Sequence, residues 1–395
     1  MRNFISEDQI EKSVLEMLTK KMKYRHINCF TANPDNLNDK SGRTNKTEVV
    51  FLDILKEKAK KINDEIPEPV IEEAIAKLVN KRYAMSPILA NKEIYSLIRD
   101  GIPVEYENNE GKKEHAQVRV IDFKNIGTND FLAVSQLWIK GEVYYRRPDI
   151  ILYINGLPLV FIELKNSNIK LQNAYDDNLT NYRKDIPLLF QYNAVSILSN
   201  AMETKVGSFT AGWEHFFYWL RVEDEKEKVE RKKIEREGVS IERTIKGLCT
   251  REKLLDYLEN FILYYKETEK IIAQNHQFIG VNKAIETFKE REKKEGKLGV
   301  FWHTQGSGKS FSMIFYFRKI FRKFTGNFRF VVVTDRDSLD GQIYRNFLHT
   351  ETVKKGEMAR PKDSHEMRGF LSLNKKIVFT LIQKFRWDKG KEYPL

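Results

Sequence analysis

The segment PDIILYINGLPLVFIELK, residues 148–165, carries the strongest local signal for the fold of this chain. Two runs rich in β-branched and other apolar residues, 150–154 and 159–164, flank the dipeptide Asn155-Gly156. Asn-Gly is a strong signal for a two-residue hairpin turn, because both turn positions require a positive φ. We therefore predict a β-hairpin at this point of the chain.

Three charged residues interrupt this apolar hairpin. Asp149 follows Pro148 ahead of the first strand, and Glu163 and Lys165 lie on the second strand, where alternation places both on one face. Asp149 and Glu163 can together ligate Mg²⁺, which prefers carboxylate oxygens, and Lys165 can orient a water and stabilise charge on a phosphate. This is the PD-(D/E)xK nuclease arrangement. The alternative is a plain surface ion pair between Glu163 and Lys165.

Three further residues are weaker candidates for the same site. Glu11 lies on a predicted first helix and can supply another metal ligand. Asn178 and Tyr182 are four residues apart and share a helical face that can cover the hairpin and touch the metal or a DNA backbone. Residues of these types are more often solvated or engaged in packing.

A second motif, KLGVFWHTQGSGKSFS, covers residues 297–312. Its apolar run at 300–302 predicts a strand, its glycines a turn and its Lys309-Ser310 pair the start of a helix, which is the context of a phosphate-binding P-loop. Gly306 and Gly308 let backbone N–H groups turn inward, Lys309 reaches the phosphates and Ser310 ligates Mg²⁺. The alternative is a surface turn rich in glycine and serine.

The P-loop motif is incomplete by the formal pattern. His303 stands where the pattern has its first glycine. An ATPase of this type also needs an acidic residue after a second apolar strand, to hold the Mg²⁺ and position water. Asp335 ends FVVVTD without a second acid beside it, and KKIVFTLIQKF has no terminal acid. We therefore predict a motor lobe truncated before its Asp-Glu box, and no ATP hydrolysis by this chain alone.

Composition limits the class of protein. The chain has 395 residues, of which 41% are hydrophobic and 12% aromatic, which suits two or three packed domains and excludes a disordered chain. Lys and Arg outnumber Asp and Glu by 68 to 56, giving a formal charge of +12 that favours nucleic acid as a partner. Cys29 and Cys249 form no CxxC pair, which fits a reducing, cytoplasmic compartment. No apolar stretch approaches the ~18 residues of a membrane span, so we expect no membrane partner.

We predict three regions: a nuclease domain over residues 1–222, a charged linker over 223–246, and a helical connector with the start of a motor lobe over 247–395. The first region is expected to begin with a helix at 7–22 that is capped by Ser6. Further helices are predicted at 49–62, 70–78, 174–182, 251–270 and 281–293. Further strands are predicted at 117–123, 132–138, 194–198 and 328–334.

Longer segments around the two motifs resemble one family. NDFLAVSQLWI, YYRRPDIILYINGLPLVFIELKN, DIPLLFQYNAVSILSN and KVGSFTAGWEHFFYW resemble the nuclease domain of the R (restriction and motor) subunit of type I restriction-modification enzymes. FWHTQGSGKS, VVVTDRDSLDGQI and FTLIQKF resemble the first motifs of its helicase-type motor. The resemblance implies an α/β fold: a PD-(D/E)xK nuclease domain, with a mixed sheet flanked by helices, and then part of a RecA-like P-loop lobe with a parallel sheet.

The resemblance also implies residue roles, cofactors and partners. Asp149, Glu163 and Lys165 would form the nuclease site, and Gln277 in NHQFIGVNKAI would read the adenine. The nucleotide phosphates would be bound by a set of consecutive loop residues: Gly306, Ser307, Gly308, Lys309 and Ser310. Mg²⁺ and ATP are the implied cofactors, and double-stranded DNA and the methylase (M) and specificity (S) subunits the implied partners. The family usually has glutamine where this chain has Asn178, whereas His303 suits the family's loop.

Three functions compete on these grounds. The first is an ATP-driven translocase that cuts unmodified duplex DNA with a metal-dependent nuclease. The second is a helicase-nuclease of DNA repair without a methylase partner, and the third a nucleotide-sensing DNA-binding module with a degenerate nuclease. The long resemblance outside the active motifs favours the first. The hairpin geometry predicts that Asp149, Glu163 and Lys165 converge in one cleft. The net charge of +12, with no evident base-reading helix, predicts that DNA binding by this chain is weak, salt-dependent and insensitive to sequence.

Overall fold

A computed structural model describes residues 4–108, 110–373 and 375–385. The chain divides into two compact units. The first unit comprises the residues up to Ile262 and the segment Glu267–His276, and the second comprises Leu263–Lys266 and the residues from Gln277 onward. The fold is mixed α/β, with a mixed sheet in the first unit and a parallel sheet in the second, as predicted.

The first unit contains a seven-stranded mixed sheet in the order β1-β4-β7-β8-β9-β10-β11. Strands β1 and β4 are parallel, as are β8 and β9, while the other neighbours are antiparallel. Strands β2 and β3 pair separately, as do β5 and β6. The bounds of these strands are β1 (Arg25–Asn28), β2 (Ile102–Glu107), β3 (Lys113–Val118), β4 (Phe131–Ser135), β5 (Ile139–Lys140), β6 (Tyr145–Arg146), β7 (Ile150–Ile154), β8 (Leu157–Leu164), β9 (Val195–Ser199), β10 (Thr204–Gly207) and β11 (Phe217–Tyr218).

Helices account for much of the rest of the first unit. Their bounds are α1 (Glu7–Glu16), α2 (Leu52–Ile62), α3 (Glu68–Val79), α4 (Pro87–Asp100), α5 (Leu171–Asn173), α6 (Thr180–Asp185), α7 (Pro187–Tyr192), α8 (Arg231–Glu237), α9 (Ser240–Leu248) and α10 (Arg251–Asn260). The first predicted helix is confirmed, and Ser6 caps it through a reciprocal capping box with Gln9. Beyond α1 the helix continues as a π-helical segment over Met17–Lys21.

The predicted hairpin is confirmed and forms the middle of the sheet. β7 and β8 are buried along their whole length and are joined by Asn155 (φ +50°) and Gly156 (φ +80°). A Cβ on Gly156 would lie 2.4 Å from the Phe51 carbonyl oxygen, so glycine is required by space as well as by φ. The Asn155 amide donates to the Val120 carbonyl at 2.9 Å, which fixes the turn inside the protein rather than at its surface.

Two predicted strands end earlier than the sequence pattern indicates. The strand predicted at 117–123 is wrong beyond Val118, because β3 is Lys113–Val118. The next residue binds a side chain instead: the Arg119 N–H donates to Asn63 Oδ1 at 2.8 Å, and Asn63 Nδ2 donates to the Arg119 carbonyl at 2.7 Å. β4 ends at Ser135, since Gln136 has a φ of +57° and leaves the extended conformation. In each segment the apolar sequence pattern continues beyond the last residue whose backbone pairs with a neighbouring strand, so the pattern alone overestimates where the strand ends.

The predicted helix at 251–270 is wrong beyond Asn260. α10 ends there, and the chain continues as strands β12 (Ile262–Tyr265) and β13 (Glu269–Ile272). Lys266 and Glu267, between the two strands, have φ values of +49° and +59°, which a helix excludes. The residues ILYY of β12 are β-branched and aromatic, a composition that favours a strand.

The segment predicted as a charged linker, residues 223–246, is irregular at first and then forms α8 and most of α9. Ile234, Ile241 and Ile245 are buried, so the segment contributes core residues to the first unit. This unit therefore extends past the domain limit predicted at residue 222. Among the described residues, no helix is long and apolar enough to cross a membrane.

The second unit has a parallel sheet of three strands in the described part of the chain, in the order β14-β16-β15. The strands are β14 (Phe330–Thr334), β15 (Met358–Ala359) and β16 (Ile377–Leu381), and the helices are α11 (Asn275–Lys289), α12 (Lys309–Lys323), α13 (Asp337–His349) and α14 (Ser364–Ser372). α11 begins in the first unit and continues into the second. The helix predicted after the glycine loop and the strand predicted at 328–334 are confirmed as α12 and β14.

The strand predicted at 300–302 is wrong. Residues 297–304 have no regular secondary structure, and Val300 and Trp302 are 93% and 77% exposed. A strand needs a neighbouring strand to satisfy its backbone, and no described strand pairs with this segment. β14 is itself an edge strand of the described sheet, and two of its valines, Val331 and Val333, are 43% and 46% exposed.

Candidate carboxylate site and phosphate loop

The structure brings Asp149, Glu163 and Lys165 together at one end of the β7–β8 hairpin. Ile150 lies opposite Ile162 in the antiparallel register, so Asp149 and Glu163 are the next residues on the two strands. The Leu164 N–H donates to Asp149 Oδ2 at 2.7 Å, and Lys165 Nζ lies 3.7 Å from Glu163 Oε1. The hairpin register thus places the three predicted residues in one site.

The two carboxyl groups hold their protons more tightly than usual. Glu163 is 2% exposed, and burial, followed by the Asp149 carboxylate, raises its pKa well above the usual range despite the opposing charge of Lys165. Burial also raises the pKa of Asp149 to about 6, against the effect of the Leu164 N–H and of Lys165. Within the described residues, Glu163 Oε2 is buried and has no hydrogen-bond partner. The site therefore has an unused acceptor oxygen next to a second carboxylate.

Gln136 belongs to this site and was not singled out from the sequence. Its side-chain amide donates to Glu11 Oε2 at 2.6 Å and approaches Asp149 Oδ1 at 3.5 Å, and its N–H donates to the Asp149 carbonyl at 3.0 Å. Burial raises the pKa of Glu11 to about 7, although the bond from Gln136 opposes this. Gln136 therefore connects the predicted auxiliary residue Glu11 to Asp149.

Glu7 is a second residue that sequence reasoning missed. Its Oε1 accepts from the Asn166 N–H at 3.2 Å, one residue beyond Lys165. Its charge contributes to the raised pKa values of both Asp149 and Glu163. Ser6 caps the helix immediately before Glu7, so the start of α1 is fixed beside the hairpin. An acidic residue in the first turn of a helix is common, and nothing in the sequence distinguishes this one.

Asn178 and Tyr182 lie over the hairpin as predicted. Asn178 Nδ2 donates to Glu163 Oε1 in a short hydrogen bond, and the Tyr182 ring packs edge-on against Phe161 with centroids 5.7 Å apart. Burial, with Glu163 and Asp149, raises the pKa of Tyr182 above its usual range. Asn178 lies in a π-helical segment, Ala174–Leu179, between α5 and α6. π segments are frequent at functional sites, and this one carries the side chain that contacts Glu163.

The donor set fits Mg²⁺ better than a metal that requires many protein ligands. No group of three or more His, Cys, Asp or Glu residues in the described ranges has the geometry of a metal site. Mg²⁺ usually keeps several waters and takes one or two carboxylates from the protein. Asp149 and Glu163 match that requirement, since Glu163 Oε2 has no hydrogen-bond partner in the part of the chain that the structure describes.

The phosphate loop lies in the second unit and precedes α12. Gly306 and Gly308 have φ values of +81° and +76°, and Gly308 is the N-cap residue of the helix. Lys309 Nζ donates to the carbonyls of His303 and Thr304 at 2.8 and 3.2 Å. The lysine ammonium is therefore bound to backbone carbonyls of its own loop in this structure.

Three polar side chains, those of Ser307, Ser310 and Gln277, lie in or beside the loop. Ser307 Oγ donates to the Thr304 carbonyl at 2.7 Å, and Ser310, in the first turn of α12, is partly exposed. Gln277 is 3% exposed, and its amide donates to the Gly308 carbonyl at 3.0 Å. A Cβ on Gly308 would lie 2.8 Å from Gln277 Nε2, so the glycine permits this close approach. Gln277 thus lies beside the loop, and its contact with the adenine stays a prediction.

Two family models match the chain. The model described as type I restriction enzyme R protein N terminus matches residues 4–215, and the model described as SWI2/SNF2 ATPase matches residues 276–395. The first match contains the carboxylate site and the second contains the phosphate loop.

Curated relatives extend the same similarity over most of the chain. The type I restriction enzyme HindI endonuclease subunit of Haemophilus influenzae is 38% identical over 359 residues, which are 88% of this chain and 33% of that protein. A putative type I restriction enzyme endonuclease subunit of Methanocaldococcus jannaschii, MjaIXP, is 34% identical over 332 residues, which are 78% of this chain and 31% of that protein. A type I restriction enzyme endonuclease subunit of Staphylococcus aureus is 25% identical over 295 residues, 73% of this chain and 29% of that protein. The chain spans about a third of the length of these relatives.

Proposed function

This chain belongs to the type I restriction enzyme R protein family, and from that premise we propose that its carboxylate site cuts both strands of unmodified duplex DNA in the presence of Mg²⁺. The observation that carries the proposal is the convergence of Asp149, Glu163 and Lys165 at the end of the hairpin. In the full-length protein the cleavage would follow ATP-driven translocation, and the M and S subunits of the same system would recruit it to DNA. Both the geometry of the site and the family of the chain support this cleavage and these partners.

Asp149 and Glu163 are proposed to hold the cation. Glu163 Oε2 has no hydrogen-bond partner among the described residues and so supplies a ligand oxygen, and Asp149 is fixed by the Leu164 N–H. When bound, Mg²⁺ would polarise a phosphate oxygen and offset its charge. Without a cation, ionisation of both carboxyl groups is unfavourable, because each proton lost adds negative charge to a buried site. A bound cation would offset that charge.

Lys165 supplies a positive charge on the other side of Glu163. Its ammonium lies 3.7 Å from Glu163 Oε1 and is 18% exposed, so it remains accessible to a phosphate. A fixed cation at this point stabilises negative charge that develops on the phosphate during cleavage. Asn178 holds Glu163 through its short hydrogen bond and so keeps the carboxylate in place.

The phosphate loop is proposed to bind ATP together with Mg²⁺. The N-terminus of α12 presents free N–H groups and a partial positive charge, which suit a phosphate group. Lys309 must leave the carbonyls of His303 and Thr304 to reach the phosphates, and Ser310 is positioned at the start of the helix to ligate the cation. The match to SWI2/SNF2 ATPases supports nucleotide binding in this unit.

The test uses the full-length protein assembled with its M and S subunits on unmethylated plasmid DNA. Asp149→Asn, Glu163→Gln and Lys165→Ala are each expected to reduce cleavage at least about 100-fold while DNA-stimulated ATP turnover continues. Asp177→Asn is the matched control, because Asp177 is an exposed carboxylate next to Asn178 in sequence and makes no side-chain contact with the site among the described residues. Normal cleavage by the Asp149→Asn and Glu163→Gln variants would overturn the proposal.

A further inference from the structure

Two groups of aromatic and arginine side chains flank the segment that leads into the carboxylate site in the first unit: Phe30 and Trp138 around Arg147, and Tyr144 beside Arg146. We call the two groups together the aromatic–arginine surface. Phe30 and Tyr144 are 55% and 57% exposed, so both rings are accessible to a ligand. The Arg147 guanidinium carbon lies 5.0 Å from the centroid of Phe30 and 4.9 Å from that of Trp138.

The two arginines of this surface differ in their partners. Arg146 donates from Nε to Asp185 Oδ2 at 2.7 Å, and its guanidinium lies 5.8 Å from the ring of Tyr144 and 5.8 Å from that of Tyr182. Arg147 forms no salt bridge with any carboxylate in the described ranges; its contacts there are with the two rings. One arginine is therefore neutralised and the other keeps its charge available.

The surface continues directly into the carboxylate site. Arg146 and Arg147 precede Pro148 and Asp149 in the chain, and the Tyr182 hydroxyl donates to the Arg147 carbonyl at 3.3 Å. Burial raises the pKa of Glu11 to about 7, and the charge of Arg147 is one of the groups that oppose this rise. Glu11 in turn accepts from Gln136, so Arg147 lies near the residues of the carboxylate site.

We propose that the aromatic–arginine surface binds an unpaired segment of a DNA strand next to the carboxylate site. This inference deepens the proposed function and rests on it, because it assumes that the site acts on DNA. Exposed rings attract the faces of bases, and bases present their faces only when they are not stacked inside a duplex. Arg147 adds a cation that can contact a phosphate while it remains packed on two rings.

The chemistry of the surface favours a nucleic acid over an apolar protein segment. Its rings are accompanied by guanidinium groups, and a third cation, Lys140, lies 5.3 Å from the ring of Tyr145. Tyr145 in turn donates a short hydrogen bond to Asp35, so one acidic side chain is engaged at the edge of the surface. Glu142, between Lys140 and Tyr144 in sequence, is exposed. Alternating rings and cations are the pattern by which single strands are bound without sequence preference.

The test measures binding of this chain to a fluorescent single strand of about 16 nucleotides and to the matching duplex, in EDTA so that no cleavage occurs. The Phe30→Ala/Tyr144→Ala double variant is expected to bind the single strand at least about tenfold more weakly, with duplex affinity changed less than about twofold. Arg147→Ala is expected to lower the salt dependence of single-strand binding by about one phosphate contact. Both mutated rings are largely exposed, so the fold should be retained, and thermal melting monitored by circular dichroism checks this.

Tyr83→Ala is the matched control. Tyr83 is 70% exposed and has Lys81 Nζ 5.7 Å from its ring centroid, so it is a cation–aromatic pair outside the defined surface. Unchanged single-strand affinity in the double variant, an equal loss in Tyr83→Ala, or an equal loss for duplex would each overturn the inference. Cleavage by the Asp149→Asn variant tests the proposed function separately. If that variant cuts normally, the proposed function fails, whereas the binding comparison still decides whether the surface takes an unpaired strand.

Discussion

The carboxylate site of the first unit and the phosphate loop of the second unit differ in how their polar groups are satisfied. In the carboxylate site, Glu163 is 2% exposed and its Oε2 has no hydrogen-bond partner within the described residues. In the phosphate loop, Lys309 donates to two backbone carbonyls, those of His303 and Thr304. A cation entering the first site therefore breaks no hydrogen bond to Glu163 Oε2 among the described residues, although it must displace the proton that the raised pKa keeps on the carboxyl group. A phosphate entering the loop must instead displace hydrogen bonds that already exist.

The two sites also differ in how far their geometry is fixed before a ligand binds. The carboxylate site is built on two strands buried along their length, and its register is fixed by the pairing of Ile150 with Ile162. The phosphate loop is preceded by residues that have no regular structure, and its geometry depends on two glycines with positive φ. We therefore expect the first site to be rigid before binding and the loop to rearrange when a nucleotide binds. Four predictions test this contrast.

The largest effect is expected from Lys309→Ala. In the proposed nucleotide site this lysine is the cation that would reach the phosphates, so its removal should weaken binding of a fluorescent ATP analogue at least about 100-fold. Lys297→Ala is the matched control, because Lys297 is an exposed lysine of the same segment, with 85% of its side chain accessible. Nucleotide affinity is measured by titration of this chain in the presence of Mg²⁺. Equal affinities of the Lys309→Ala variant and the wild-type chain would show that the loop is not the nucleotide site.

The same prediction extends to hydrolysis of the nucleotide, which is measured by phosphate release instead of by binding. We expect no DNA-stimulated phosphate release from this chain, because the sequence offers no Asp-Glu pair after an apolar strand and Asp335 is exposed beside Arg336, 3.4 Å from its Nε. Rapid DNA-stimulated release that is lost in Asp335→Asn would contradict this and assign the acid's role to Asp335.

A smaller effect is expected from Gln136, the residue that connects Glu11 with Asp149. Gln136→Ala should reduce cleavage by the full-length enzyme about 10- to 100-fold, since residues that hold metal ligands in place have effects of this size. Gln136→Gly should lose as much cleavage but be about 1 kcal/mol more stable than Gln136→Ala, because φ at this position is +57°. The two variants are compared by plasmid cleavage and by chemical denaturation. Full cleavage by both would show that Gln136 acts only in the fold.

The third effect concerns the pH dependence of stability. Glu163 binds its proton more tightly in the folded chain than in the unfolded chain, so without metal the folded state binds more protons and stability falls as pH rises above the usual carboxyl range. Glu163→Gln removes that loss and should raise the free energy of unfolding by about 1–3 kcal/mol at pH 8 in EDTA. At pH 4, where the wild-type carboxyl is protonated in both states, the two proteins should differ little.

This measurement is a series of urea denaturation curves between pH 4 and pH 8, with Asp177→Asn as the control for removing one exposed carboxylate. Asp149 has a pKa raised to about 6, so its contribution should be lost in the same direction between about pH 4 and 6. Addition of Mg²⁺ at pH 8 should stabilise the wild-type chain more than Glu163→Gln. A Glu163→Gln variant that is less stable than wild type at pH 8 in EDTA would contradict this account.

The sequence was sufficient for the hairpin because the signals there are local. Asn155-Gly156 specifies the turn, and the turn specifies the register that brings Asp149 and Glu163 together. Gln136 could not be found in this way, since its importance arises from a positive φ and from contacts with residues 125 and 13 positions away. Asn178 was predicted, but the π-helical segment that carries it was not, because a π turn depends on tertiary contacts rather than on a local pattern.

The strand predicted at 300–302 failed for a related reason. Apolar, aromatic residues favour a strand, but they do not report whether a neighbouring strand is present to accept the hydrogen bonds. The helix predicted through residue 270 failed because two consecutive residues with positive φ, Lys266 and Glu267, have no strong turn signature in their sequence. Local patterns thus located the elements whose partners lie close in sequence and misjudged those whose partners are distant or absent from the described chain.

The smallest effect is expected at Trp302, and it tests whether the segment before the loop is unpaired in solution. Trp302 is 77% exposed, so Trp302→Ser should change the free energy of unfolding of the second unit by less than about 0.5 kcal/mol. Phe347→Ala in the same unit is the contrasting variant, because Phe347 is fully buried against Phe317 and Phe379, and its truncation should cost about 3–5 kcal/mol. Both are measured by chemical denaturation of this chain. A cost above about 1 kcal/mol for Trp302→Ser would mean that residues 300–302 pack as a strand after all, and the contrast between a preformed carboxylate site and a loosely supported phosphate loop would then be lost.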